Sequence, residues 1–215
     1  MNAIRFHQVV PEPLREVLTS TGEVWGAPER IFPIGEPATL IAPSGRGKTT
    51  LLSLIYGLRH DYEGRILFDD QDLRSMSDRQ WTTLRREKLS MVFQGLRLFP
   101  SLTALENILL KNRLTDFKSE QEIRELIDAV GMTPLLEQPC GTLSFGQSQR
   151  IAIIRALCQP FSFLLLDEPF SHLDAETRAQ SRAIIMREAA EQEAAVILTT
   201  LDAALGLGEG REVRL

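Results

Sequence analysis

The segment Ala42-Pro43-Ser44-Gly45-Arg46-Gly47-Lys48-Thr49 carries the end of a short apolar run, Ala38 to Ala42, into a stretch where Leu51, Leu52, Leu54, Ile55 and Leu58 recur at helical spacing. Strand, glycine-rich turn and helix in that order constrain this chain more than any other feature, and the turn matches G-x-x-x-x-G-K-[ST] with Ala42 at the first glycine. Such a loop aims several backbone N–H groups at one point, and the helix dipole adds positive potential there, so a polyphosphate is favoured. Gly45 and Gly47 let the backbone approach the ligand. Lys48 is expected to reach the outer phosphates, the Thr49 hydroxyl to hold Mg2+, and Thr50 to complete the loop. Alanine at position 42 is tolerable only if φ stays below zero, and Arg46 is expected to face solvent. The competing reading is a plain turn with Lys48 solvated at a surface.

A second motif, Phe163-Leu164-Leu165-Leu166-Asp167-Glu168-Pro169, is an apolar run ending in two acids. Acids at the C-terminal end of a buried strand stand where α/β proteins bind ligands. Asp167 is expected to serve the metal and Glu168 to act as the base that polarises a water. This run and Ala195 to Thr199 are continuously apolar, as in parallel strands covered on both faces. Between them the pattern turns helical. Ser119, Glu122, Ile123, Leu126, Ile127, Val130 and Gly131 read as a capping box, an apolar face and a glycine stop. The expected fold class is α/β, a P-loop NTPase core of mainly parallel sheet with an inserted helical subdomain. One domain over 1–215 is expected, with the core at roughly 1–94 and 161–215 and the helical subdomain at roughly 95–160.

A length of 215 residues suits one compact domain. A net charge of −5 argues against a surface built to neutralise nucleic-acid phosphates, so no nucleic-acid partner is expected. Two cysteines, Cys140 and Cys158, are too few and too poorly patterned for a disulfide framework or a zinc site and read as small buried hydrophobes. Met1 to Pro13 lacks the pattern of a secretion signal, and no apolar run approaches the roughly 18 residues of a membrane span. Work at a membrane therefore requires a partner that supplies the span.

The segment Leu143-Ser144-Phe145-Gly146-Gln147-Ser148-Gln149-Arg150, followed by an apolar helical run and placed before the second motif, resembles the signature LSGGQ of ATP-binding cassette (ABC) proteins. The resemblance covers nearly the whole chain. It implies an ATP hydrolase of a transporter, with ATP and Mg2+ as cofactors and Leu143, Ser144, Phe145, Gly146 and Gln147 contacting ATP held by a second copy. It further implies that Gln94 touches the metal and the attacking water, and that Asp174, in Ser171-His172-Leu173-Asp174, crosses the dimer interface. The implied assembly is a homodimer, or a heterodimer with another cassette, working a separate transmembrane permease from the cytoplasmic face of the membrane. Leu96, Leu98, Phe99 and Leu102, beside Gln94, are candidates for permease contact or for packing inside the helical subdomain. The text around Gln94 is similar to the branch of lipoprotein-releasing, macrolide-exporting and cell-division subunits, with an importer subunit as the alternative.

Three positions depart from the family pattern. Phe145 replaces a glycine, a cost of about 1–2 kcal/mol if that residue had to be left-handed. No aromatic stands between Val9 and Leu14 to stack on adenine, which leaves Phe6 and Trp25 as substitutes or as core. Leu201, in Thr200-Leu201-Asp202, occupies the place of the family's switch histidine, and His7, His60 and His172 all lie elsewhere, so slow hydrolysis or a regulatory ATP-binding role is implied.

Overall fold

The computed structural model describes residues 2–17 and 22–215. Two sheets form its frame. Strands β1 (Ala3–Pro11), β2 (Arg30–Pro33), β4 (Tyr62–Phe68) and β5 (Gln71–Asp72) make an antiparallel sheet in the order β2-β1-β4-β5. Strands β3 (Ala38–Ile41), β6 (Leu89–Val92), β7 (Phe163–Asp167), β8 (Ala195–Thr200) and β9 (Arg211–Arg214) make a parallel sheet in the order β6-β7-β8-β3-β9.

The parallel sheet is the expected core, and the antiparallel sheet is an addition to it. The antiparallel sheet's register shifts between His7 and Val10, where Gln8 is left-handed at φ 49°. Gly64 faces this bulge with φ 81°, and a Cβ there would lie 2.4 Å from the His7 and Gln8 carbonyl oxygens. Only glycine fits such an approach.

Successive strand residues point to opposite faces, and β7 shows the result. Phe163 and Leu165 enter one core with Leu40, Ile197, the antiparallel sheet's Ile4, Phe6 and Ile66, and Leu51, Leu52 and Ile55 of helix α1 (Lys48–Ile55). Leu164 and Leu166 enter the other with Val196, Leu198 and Ile185 of α6 (Ala175–Glu191). Each of these side chains contributes about 1.5–3 kcal/mol by leaving water. Leu58 lies beyond the end of α1 and is exposed, since that helix closes at Ile55.

The antiparallel sheet is followed by α2 (Asp78–Glu87), and the helical region by α3 (Ala104–Asn112), α4 (Glu120–Ala129) and α5 (Phe145–Leu157). All four start in capping boxes, formed by Ser77 with Gln80, Thr103 with Glu106, Ser119 with Glu122 and Ser144 with Gln147. Each satisfies N–H groups that the first turn leaves free. After α4, Gly131 takes φ 64° and stops the helix. Ile108, Ile123, Ile127, Ile151 and Ile154 of α3, α4 and α5 join the core of β7 and β8, so the helical region has no separate interior.

Candidate functional site

The turn between β3 and α1 closes at Gly45 and Gly47, with φ of 80° and 92°. At Gly47 a Cβ would come within 2.4 Å of Leu14 Cδ1 and 3.2 Å of the Trp25 ring, so a side chain would displace the wall that supports the loop. Ala42 is not left-handed, and alanine is unstrained there. Arg46 is exposed as expected, and its carbonyl accepts a hydrogen bond from Trp25 Nε1 at 3.1 Å. Leu14, Ser44, Gly45, Gly47, Lys48, Thr49, Thr50, Gln94 and Glu168 line a cleft of about 260 Å³. Six of the nine loop positions singled out above, Lys48 included, thus line it directly, and Gln94 and Glu168 join them from the other motifs.

Lys48 is buried at the floor of the cleft. Its Nζ donates to the carbonyls of Ala42 at 2.8 Å and Pro43 at 3.3 Å and pairs with Glu168 Oε1 at 3.3 Å. Asp167 is buried at the end of β7, and its Oδ1 accepts from the Thr199 hydroxyl at 2.8 Å. Its Oδ2 is buried without a hydrogen-bond partner. Burial pushes the Asp167 carboxyl above its ordinary range; the nearby Thr49 and Thr199 hydroxyls and the Lys48 charge oppose this, and Glu168 reinforces it. An unpartnered carboxylate oxygen, the Thr49 hydroxyl and the Gln94 amide form an oxygen donor set that fits a hard divalent cation such as Mg2+.

Glu168 is left-handed, with φ 51°. Its N–H donates to Thr199 O at 3.1 Å, while its carbonyl accepts from Gln149 Nε2 at 3.1 Å and from the Ser171 hydroxyl at 3.2 Å. Gln149 lies on the buried face of α5, so the signature helix is fastened directly to the backbone of the candidate base. Sequence reasoning missed Gln149 and Thr199; the available signal was a polar residue set within an otherwise apolar face or strand.

At the signature, Ser144 is the N-cap of α5 and accepts from Gln147 N at 3.2 Å. The helix begins at Phe145 rather than after Gly146. Phe145 is right-handed and exposed, and the left-handed cost considered for it does not arise. Its ring meets His172 edge-on at 4.4 Å, which joins the signature to the loop after Glu168. Leu143 packs partly buried against the helical core. Asp174 caps α6, accepting from Thr177 N at 2.9 Å and from its hydroxyl at 2.8 Å, and these bonds hold its carboxyl below the ordinary range.

Phe6 and Trp25 are both core residues, 6.4 Å apart in an edge contact, and neither reaches the cleft. Leu14 is the apolar side chain at the cleft wall. Leu201 is 51% exposed and, with Glu168, Ser171 and Thr200, lines a second cavity of about 140 Å³. After Gln94 the backbone turns through two left-handed residues, Leu96 and Arg97, and Arg155 of α5 donates to both their carbonyls, at 2.6 and 2.7 Å. Leu96 is buried and so packs inside, Leu98 and Leu102 are half-buried, and Phe99 is exposed. Buried Asn107, also missed, holds this loop by donating to the Phe99 and Thr103 carbonyls at 3.1 and 3.0 Å and accepting from Phe99 N at 2.8 Å.

A parallel sheet, a left-handed glycine loop entering a helix and a pair of acids at the end of β7, separated from β3 by β8, define a P-loop nucleotide-binding domain. The chain belongs to the ABC transporter family, whose model matches residues 31–171. It is 36% identical over 168 residues to the aliphatic sulfonates import ATP-binding protein SsuB of Bacillus thuringiensis, covering 78% of this chain and 63% of that protein. It is 34% identical over 184 residues to the lipoprotein-releasing system ATP-binding protein LolD of Syntrophotalea carbinolica, covering 84% and 81%. An uncharacterized ABC transporter ATP-binding protein of Mycobacterium tuberculosis is 36% identical over 171 residues, and the matched part spans about half (52%) of its length. The dimeric structure of the bacterial ABC transporter cassette MJ0796 superposes with a TM-score of 0.80 at 26% identity, covering 99% of this chain and 94% of that one. A post-hydrolysis dimer of that cassette, bound to ADP and Pi, gives 0.77 at 28% identity. Among the described residues no helix is long and apolar enough to cross a membrane.

Proposed function

We propose that this chain is the ATP-binding and ATP-hydrolysing subunit of an ABC transporter, dimerising around MgATP to drive a separate membrane permease from the cytoplasmic side. The observation that carries the reading is the convergence of Lys48, Thr49, Gln94 and Glu168 on one cleft, with the buried Asp167 behind it. ATP phosphates entering the loop displace the Ala42 and Pro43 carbonyls from Lys48 and release Glu168 from its pair with that lysine. Mg2+ would be held by Thr49, Asp167 and Gln94 and would neutralise charge on the phosphates. Glu168, freed, accepts a proton from the attacking water. Leu14 offers an apolar wall in place of the aromatic ring the family uses for adenine. Ser144 and the first turn of α5 present a hydroxyl, N–H groups and a dipole to ATP held by a second copy, which is a homodimeric partner or another cassette.

The text around Gln94 is the ground for preferring the lipoprotein-releasing branch, and the likeness to both LolD and SsuB keeps the importer subunit as the alternative. A hydrolysis-weak regulatory subunit is the second reading, favoured by Leu201. The test is calorimetry with MgATP on wild type and Lys48→Ala, followed by size exclusion of Glu168→Gln with ATP. Loss of binding in the first variant and an ATP-dependent dimer in the second are expected. Equal ATP affinity for Lys48→Ala would overturn the assignment.

A further inference from the structure

The loop after Glu168 is tied to the signature at three places. The ring of Phe145, the first residue of α5, meets the His172 imidazole with 4.4 Å between centroids and an interplanar angle of 60°. Gly146 lies so close that a Cβ there would stand 2.9 Å from the His172 carbonyl oxygen. Gln149, one turn after Phe145, donates through Nε2 to the Glu168 carbonyl at 3.1 Å and to the Ser171 hydroxyl at 3.4 Å. The hydrogen bonds among these residues have a direction. Ser171 Oγ stands 2.8 Å from His172 Nδ1 and 3.2 Å from the Glu168 carbonyl oxygen. That carbonyl can only accept, and the hydroxyl has one proton to give. With the proton on the carbonyl side the hydroxyl accepts from Nδ1 and from Gln149, so Nδ1 is the nitrogen that carries hydrogen. The opposite order, serine donating to a bare Nδ1, leaves the contact between Ser171 and Glu168 without a hydrogen. The neutral imidazole therefore takes the Nδ1–H tautomer.

We propose that Phe145 and His172 act as a pair that positions Glu168, given the reading of Glu168 as the base of ATP hydrolysis. The Phe145 ring holds the imidazole in the orientation that brings Nδ1–H to Ser171, and Ser171 in turn fixes the Glu168 carbonyl. Both are positioning residues, since they act on the base through Ser171 and not on the reacting atoms. Glu168 needs such support because its backbone is left-handed, at φ 51°. Phe145, at the place of a family glycine, is thus part of the support of the base and not damage to the signature. Putting the glycine back removes the ring contact that orients His172, an exposed side chain that water otherwise leaves free to turn. Restoring the family sequence at position 145 should therefore slow hydrolysis, the reverse of what the motif alone suggests.

The test measures ATP hydrolysis by the whole chain, with binding of a fluorescent ATP analogue followed on the same proteins. Phe145→Gly, Phe145→Leu and His172→Leu should each lower kcat about five- to tenfold, the scale of one hydrogen bond, while KM and analogue affinity move less. His172→Asn, whose amide nitrogen stands where Nδ1 stood, should recover most of the loss that His172→Leu suffers. Phe145→Gly added to His172→Leu should cost nothing further, because the two side chains act through one contact. Faster hydrolysis by Phe145→Gly, losses that add in the double variant, or equal rates for His172→Asn and His172→Leu overturn the pairing. A second measurement needs no turnover and decides even where hydrolysis is too slow to follow. Nitrogen NMR spectra of the imidazoles at alkaline pH, with the His172 signals identified by their loss in His172→Asn, should show hydrogen on Nδ1, and this preference should fade in Phe145→Gly. Hydrogen on Nε2 in wild type, or a preference that Phe145→Gly leaves intact, overturns the proposal. Failure of wild type to bind the analogue sinks the ATPase assignment, whereas intact binding with unchanged kcat in every variant sinks the pair alone.

Discussion

Glu168 holds a left-handed backbone that costs a non-glycine residue about 1–3 kcal/mol. Gln149, Thr199 and Ser171 fix it there, so Gln149→Ala should lower kcat for ATP more than it weakens ATP binding, with a stability loss of about 1–2 kcal/mol. Stopped-flow binding and steady-state assays on one preparation check this split; equal losses in both would place Gln149 in the general fold instead. Asp167 makes the opposite kind of prediction. Its pKa is raised by burial, so its contribution to stability is fully present below the ordinary carboxylate pKa and is lost as pH rises through the higher folded value. Asp167→Asn should therefore melt a few degrees above wild type at neutral pH without nucleotide, about 2–4 °C per kcal/mol, and the difference should shrink on acidification. The same variant should lose Mg2+-dependent ATP affinity. Lys48, Thr49, Asp167 and Glu168 were legible in the sequence because phosphate and metal chemistry admit few residue types at fixed spacing. Gln149, Thr199 and Asn107 were not, because a polar residue inside an apolar stripe reads only as an interruption until its partner, distant in the chain, is known. We propose that Leu201 stands at the place of a missing switch imidazole; it lines a cavity of about 140 Å³ with Glu168. Leu201→His is expected to raise steady-state ATP hydrolysis by about 10²- to 10³-fold, on the scale of one transition-state hydrogen bond; an unchanged rate would show that another group already does this work.

The phosphate loop shows how an element depends on a neighbour that its own sequence does not reveal. Trp25, far from the motif in sequence, supports Gly47 with its ring and donates to the Arg46 carbonyl. Trp25→Phe should cost about 1 kcal/mol of stability and weaken MgATP binding severalfold, and Trp25 emission in a Trp81→Phe background should change on adding MgATP. Unaltered affinity in Trp25→Phe would mean that the loop holds its shape alone. Strands β3, β7 and β8 were readable because they are continuously apolar and buried on both faces. The antiparallel sheet was not: β2 and β5 are only four and two residues long, and the bulge at Gln8 breaks the alternation of β1. The start of α4 was plain because its capping box, Ser119 with Glu122, is local, whereas the grip of Arg155 on Leu96 and Arg97 spans more than fifty residues of chain, at separations of 59 and 58.

At the scale of the whole molecule, the helical region is held to the parallel sheet by the apolar core they share. Besides the shared apolar core, one buried ion pair joins them: Lys118, just before α4, meets Glu188 near the end of α6 at 2.6 Å, with both side chains almost fully buried. Asn112 fixes the Lys118 backbone through two hydrogen bonds of 2.8 and 2.9 Å, and Arg187 reaches Glu188 at 3.0 Å. Removing one partner strands a buried charge, whereas removing both leaves an apolar contact, so the two changes should differ in size and even in sign. Glu188→Leu alone is expected to cost about 3–5 kcal/mol, and the double change Lys118→Met with Glu188→Leu to be near neutral or stabilising by about 1–4 kcal/mol. Chemical denaturation of the wild type, both single variants and the double variant closes the cycle. If the double variant is as unstable as Glu188→Leu, the pair is a necessary joint of this fold. If it is as stable as wild type yet hydrolyses ATP more slowly at unchanged ATP affinity, the pair instead sets the angle at which the helical region rides on the sheet.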